Sequence, residues 1–148
     1  MIDTELKLEF TIQRCPVDDQ IKYAVAYLEG ELMIKIDGQV FFQEPDIMLV
    51  EFGTELNKWL GKLIATKKPV SMEYFTMDHD EAEGAILTLE PVANTRYLIH
   101  SIWQEFTCSR SISEHELIVA TTTFIEGLNI ELGRRGLVGL GNTLSQIG

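Results

Sequence analysis

Three histidines, two cysteines and an acidic run at residues 78–84 are the side chains best suited to chemistry in this 148-residue chain. A zinc site needs imidazoles or thiolates that converge at short spacing. His79, His100 and His115 fall in a turn, a strand and a helix start, and no C-x-x-C or H-x-x-x-H pair links them. The run Asp78-His79-Asp80-Glu81-Ala82-Glu83-Gly84 offers oxygen ligands of the kind calcium takes. It lacks the glycine and the terminal glutamate of an EF-hand loop, and it joins strands rather than helices. It reads as a solvated acidic turn, so no metal and no cofactor are expected. Cys15 and Cys108 sit in no nucleophile signature. Gly136, Gly139 and Gly141 follow a helix, where a phosphate loop must bridge a strand to a helix. His100 alternates with Ile99 and Ile102, which suits a hydrogen-bonded, partly buried structural role. The expectation is a chain that is not an enzyme.

The elements that position these residues follow from apolar periodicity. Leu6, Leu8, Phe10 and Ile12 alternate with polar residues, the mark of a strand with one buried face. Cys15-Pro16 and Asp18-Asp19 break it, and Ile21, Tyr23, Val25 and Tyr27 resume it. Gly30 leads, through a bulge or a tight connection, into Leu32, Ile34 and Ile36. Asp37-Gly38 predicts a type I′ hairpin turn, Val40–Phe42 the return strand, and Glu44-Pro45 its end.

Leu49, Phe52, Leu56, Trp59 or Leu60, and Leu63 then recur at helical spacing, with Asp46 as N-cap and Pro69 as a stop. This stripe makes Trp59 a core residue. Three further strands are predicted at 70–76, 85–90 and 96–106, joined by the loops 78–84 and 91–95 as an antiparallel meander. A second helix starts at Ser113-Glu114-His115-Glu116, a capping-box spacing. Its buried stripe is Leu117, Ala120, Phe124, Leu128 and Leu132, and Gly133 or Gly136 ends it.

These elements predict an α+β domain over residues 1–136: one antiparallel sheet of six or seven strands with two amphipathic helices packed on one face. Residues 137–148 form an uncharged, glycine-rich tail, either docked or frayed.

Composition narrows the function. Twenty-three acidic against twelve basic residues leave a net charge of −11. That excludes a generic nucleic-acid binder, which needs a basic footprint. Residues 1–57 carry −8 and residues 69–133 carry −9, while the lysines of 58–68 return +4 at a helix end. A field of this sign steers a cationic partner and repels nucleic acid. No apolar run approaches the ~20 residues of a membrane span, the N-terminus is acidic, and the two cysteines suit reduced thiols. A cytoplasmic location is expected. Tyr74 precedes the acidic loop and Trp103 lies on a neighbouring strand, so both are candidate anchors, although an aromatic in a strand most often belongs to the core.

The stretch Gly30-Glu31-Leu32, Ile34–Gly38, Phe41-Phe42-Gln43-Glu44-Pro45 and Lys58-Trp59-Leu60 carries a pattern that continues later in the chain. It resumes in Tyr74, Met77-Asp78, Glu81, Glu83-Gly84 and Ser101-Ile102-Trp103-Gln104-Glu105-Phe106. Over residues 30–106 this resembles small acidic immunity proteins encoded beside polymorphic toxins in Gram-positive bacteria. The resemblance implies an antitoxin that binds and neutralises a cognate, basic, nuclease-type toxin domain. Asp78, Asp80, Glu81 and Glu83 would then supply steering charge, with Tyr74 and Trp103 as contacts. Two other readings stay open: a small-molecule-binding or hydrolytic domain with a pocket between sheet and helices, and a homo-oligomer, such as a homodimer, using the tail.

Overall fold

Alternation in the first strand and in Leu32, Ile34 and Ile36 gives each strand one apolar face, and backbone pairing brings these faces together. The computed structural model describes residues 5–14, 28–75, 82 and 84–134. Within them β1 (Leu6–Arg14), β2 (Glu29–Ile36) and β3 (Gln39–Met48) form one antiparallel sheet in the order β1-β2-β3. The helix α1 (Leu49–Thr66) follows. The strands β4 (Met72–Tyr74), β5 (Leu87–Ala93), β6 (Arg96–His100) and β7 (Ile112–Ser113) form a second antiparallel sheet in sequence order. The helix α2 (Glu114–Arg134) closes the chain's described part.

The fold is α+β, with two sheets of three and four strands in place of the single larger sheet expected. Strand partition is a non-local property: α1 separates β3 from β4, and pairing proceeds within each meander. One hydrophobic core nevertheless runs through both sheets and both helices. An aromatic chain crosses it from Phe10 on β1 to Phe124 on α2, Phe52 on α1 and Tyr74 on β4, with ring centroids 5.4, 5.4 and 5.0 Å apart. All three pairs meet edge to face, the arrangement the ring quadrupoles favour.

Several local signals act as expected. Asp37 and Gly38 both take positive φ, 53° and 82°, as a type I′ turn requires. The helix stripes are buried at Leu49, Phe52, Leu56, Trp59 and Leu63 on α1 and at Leu117, Ala120, Phe124, Leu128 and Leu132 on α2. The capping box forms in both directions: Glu116 N–H donates to Ser113 Oγ at 3.1 Å, and Ser113 N–H donates to Glu116 Oε1 at 3.2 Å.

Other expectations are corrected. Asp46 caps no helix. β3 runs through Pro45 to Met48, and between the pairs Gly30↔Ile47 and Leu32↔Glu44 it carries one residue more than β2. Asp46 adopts φ 61° in this bulge, and its carboxylate meets Arg14 at 3.3 Å. The helix instead begins after Met48 without a side-chain cap, and Leu49 N–H donates to Leu28 O. α1 ends at Lys67, whose left-handed backbone lets its N–H reach Leu63 O at 2.9 Å.

Gly133 lies inside α2, so it does not terminate that helix. β4 and β6 are shorter than expected and β5 extends past Pro91. His100 is exposed at the end of β6, which removes it from the partly buried role. The expected strand at Ile21–Tyr27, the stop at Gly136 and the tail fall outside the described residues. Among the described residues no helix is long and apolar enough to cross a membrane.

The α1–β4 connection is held by side chains where no regular pairing is available. Trp59 Nε1–H donates to Val70 O at 2.6 Å, and Val70 N–H donates to Tyr97 Oη at 3.1 Å. Both backbone polar groups of Val70 are thereby satisfied in a partly buried place.

Candidate functional site

After β6 the chain leaves the sheet because Ser101 offers its backbone a local alternative. Ser101 Oγ accepts the Trp103 N–H at 3.0 Å, and Gln104 Oε1 accepts the Ser101 N–H at 3.0 Å. Such short side-chain bonds compete with strand pairing. The resulting loop, residues 101–111, then docks on β3. Glu105 N–H donates to Phe41 O at 2.7 Å. Phe41 is the extra residue of a second β3 bulge, between the pairs Ile34↔Phe42 and Lys35↔Val40, and its ring meets Phe106 edge to face at 5.5 Å.

This docking makes a surface patch. Trp103 lies beside Phe42, ring centroids 6.4 Å apart, and stays 38 % exposed. Glu44, two residues beyond Phe42 on the same face of β3, is half-buried, and Glu105 stands near enough for the two charges to interact. Burial, followed by repulsion from Glu105, pushes the Glu44 carboxyl above the usual carboxylate range. Neither glutamate takes part in an ion pair among the described residues. The docked loop therefore brings a part-exposed aromatic, a half-buried Glu44 and an exposed Glu105 to one side of β3.

The sequence-predicted residues divide. Trp103 belongs to this patch. Tyr74 does not: it is fully buried, because β4 alternates Met72 in, Glu73 out, Tyr74 in. Its hydroxyl donates to Glu51 Oε1 on α1 at 3.0 Å, and burial with the nearby Glu51 charge raises its pKa strongly. It anchors β4 to α1 and has no surface to offer a partner. Tyr74→Phe is expected to lower stability by about 1.5 kcal/mol, since the bond has a charged acceptor left half-buried behind it. A shift in urea midpoint without a change in m-value checks this. Asp78, Asp80, Glu81 and Glu83 lie outside the described residues.

Glu44 and Glu105 escape a reading by sequence motif. A signal existed at Glu44, a carboxylate placed two residues after the inward-facing Phe42, on the apolar side of its strand. Such a conflict between pattern and residue type often marks a functional position. Nothing local pairs Glu44 with Glu105, because the loop docking that joins them is a tertiary event.

A second feature sits across the loop. An open groove of about 440 Å³ runs between the Asp37 turn and residues 106–110. Arg110 lines it but is committed elsewhere. Its Nε–H and one Nη2–H hold Asp37 at 2.7 and 2.8 Å. The other Nη2–H and one Nη1–H hold Glu116 at 2.9 and 3.2 Å, and the last Nη1–H reaches Ser111 O at 2.9 Å. These contacts use the whole donor inventory of a guanidinium. The Arg110 hydrogen bond holds Asp37 below the usual carboxylate range despite burial. For Glu116, burial opposes ionisation but is outweighed by bonds from Arg110 and Ser113, so its pKa also falls. The arrangement is a clamp joining the β2–β3 turn to the start of α2, with no donor left for an anion. Cys108 is buried beside it, its thiol donating to Arg110 O at 3.3 Å, and burial raises its pKa. A thiol held protonated in this way is a poor nucleophile. Among the described residues no three His, Cys, Asp or Glu side chains converge as a metal site would require.

Residues 6–134 match the profile of a domain of unknown function, DUF7878. The chain belongs to the DUF7878 family. The match begins at the first residue of β1 and ends at the last of α2, so it takes in both sheets, the clamp and the Trp103 patch. No curated protein and no solved structure matches the chain.

Proposed function

We propose that this chain is an immunity protein: it binds a cognate toxin domain with a basic surface, of nuclease type, and neutralises it by stoichiometric association, performing no catalysis of its own. The observation that carries the reading is the loop docked on β3, which sets a part-exposed Trp103 beside Phe42, two residues before the half-buried Glu44, with Glu105 in electrostatic reach of Glu44 and neither glutamate in an ion pair among the described residues. Interface hot spots are commonly aromatic anchors with polar and charged neighbours, and the half-buried Glu44 carboxylate, with Glu105 nearby, is a charge that a cationic partner would stabilise. The net charge of −11 supplies the long-range attraction toward such a partner. The acidic run Asp78–Glu83 adds to that field.

The test is co-expression with the product of the adjacent reading frame, followed by gel filtration and titration at two salt concentrations. The expected result is a one-to-one complex whose association slows steeply with salt. Neutralising Asp78, Asp80, Glu81 and Glu83 together should lower the association rate more than it raises dissociation. Failure of every adjacent product to bind would overturn the reading.

A further inference from the structure

We infer that two copies of this chain associate through the open edge of β1, about a two-fold axis at Leu8, and so continue one sheet across the pair. The inference is independent of the immunity reading. The loop carrying Trp103 docks on β3, whereas β1 lies at the other side of the same sheet.

Among the described residues β1 pairs with β2 alone. Asp37 N–H donates to Glu5 O at 2.7 Å. Bonding alternates along an antiparallel pair, so Lys7, Glu9 and Thr11 likewise turn their backbone groups toward β2. The N–H and C=O groups of Leu6, Leu8 and Phe10 therefore face the open edge. A row of such groups is a template for another strand. Beside it lies a mainly apolar groove of about 210 Å³, whose lining includes Leu6, Leu8, Val119, Ala120 and Thr123. Val119, Thr123 and Ile130 stand exposed along one line of α2. A strand added here covers apolar surface while it pairs backbone groups.

Charge selects a second copy as the occupant and fixes its register. On the exposed face of β1, Lys7 lies directly opposite Lys35 of β2, a like-charge pair that costs stability. Lys7 reaches Glu5 at 3.8 Å and Glu9 reaches Lys35 at 3.5 Å, both exposed pairs of little strength. A second β1 running antiparallel about Leu8 sets the partner's Glu9 opposite Lys7 and the partner's Lys7 opposite Glu9. Both contacts are then attractive. An axis at Lys7 or at Glu9 would oppose identical charges, and one at Phe10 would pair neither charge with its opposite. Leu8 also belongs to the outward-bonding set, so at the axis it exchanges both backbone bonds with the partner's Leu8. A lone edge lysine keeps a strand unpaired. Glu9, two residues on, makes this one half of a reciprocal match.

Sedimentation velocity of the full chain, from micromolar to millimolar concentration, tests the pairing. Salt at about 0.15 M screens the general repulsion between acidic molecules beyond about 8 Å. The wild type is expected to dimerise. Lys7→Glu and Glu9→Lys each put like charges at both cross-strand contacts and should weaken the dimer by about tenfold or more. In an equimolar mixture of the two variants, both contacts of the mixed pair join a carboxylate to an ammonium, and dimers should return. Both variants remain acidic overall, so net charge does not draw them together. Their recovery on mixing also shows that each is folded. A wild type that stays monomeric throughout, a dimer indifferent to either reversal, or a mixture no stronger than its components would overturn the proposal. A monomer that still captures an adjacent gene product overturns the dimer and leaves the immunity reading intact; a dimer that captures none does the reverse.

Discussion

Gly30→Ala is expected to destabilise the fold by about 3 kcal/mol or more, or to prevent its accumulation. Gly30 lies in β2, the central strand of its sheet, paired with Ile12 on one side and Ile47 on the other. A Cβ added there would fall on the carbonyl oxygen of Thr11 and come within 2.8 Å of Leu49 Cδ1. The leucine tip can rotate away. The carbonyl cannot, because it belongs to the backbone of β1 and moves only if the strand moves. Relief requires β1 to part from β2 near Arg14, where the ladder already shifts register. Chemical denaturation compared with the wild type measures the loss, and a midpoint within experimental error of the wild type would contradict the close approach described. A surface substitution such as Gln43→Ala, on an exposed side chain of β3, serves as a control with little expected effect.

Arg110→Met should be nearly as damaging, by about 3 kcal/mol at neutral pH, and its effect should depend on pH. The side chains of Arg110, Asp37 and Glu116 are 26, 25 and 18 % exposed, so the network is sheltered enough to matter but wetter than a fully buried triad. Removing the guanidinium leaves two carboxylates facing a place that no longer stabilises their charge. Both titrate lower in the folded chain than in the unfolded one. Their contribution is therefore complete above the unfolded pKa values, about 4, and is lost as pH falls through the lower folded-state values. Wild-type stability should thus decline on acidification below about pH 4, and Arg110→Met should flatten that decline. The gap between wild type and variant should narrow as pH drops. A gap that stayed constant from pH 7 to pH 3 would show that the arginine acts by packing alone.

Much of this architecture could be read from particular residues. The alternation at Leu6–Ile12, the Asp37-Gly38 turn, the stripes of both helices and the Ser113–Glu116 capping box are local devices, each satisfied by neighbours a few residues away. Asp46 misled because aspartate suits both an N-cap and a left-handed bulge, and tertiary pairing with Arg14 and β2 decided between them. Trp103 is read from the sequence as a candidate anchor on a strand, where an aromatic most often belongs to the core; the structure places it in a loop, 38 % exposed. Ser101, whose backbone and hydroxyl bonds turn the chain away, is the residue that decides this. Tyr74 was misjudged because the alternation of a three-residue strand is too short to show which face is inward. The division into two sheets, and the meeting of Glu44 with Glu105, depend on contacts between distant segments for which no local pattern speaks.

The double duty of Glu116 has a kinetic side. Its exchange of bonds with Ser113 needs only one turn of helix and can form as soon as α2 begins to wind. Its grip on Arg110, and through it on Asp37, must wait until the β2–β3 hairpin has closed and met the far end of the chain. The clamp is thus a late-closing lock over an early-forming nucleus. Breaking it should hasten escape from the native state while leaving the rate of arrival almost unchanged.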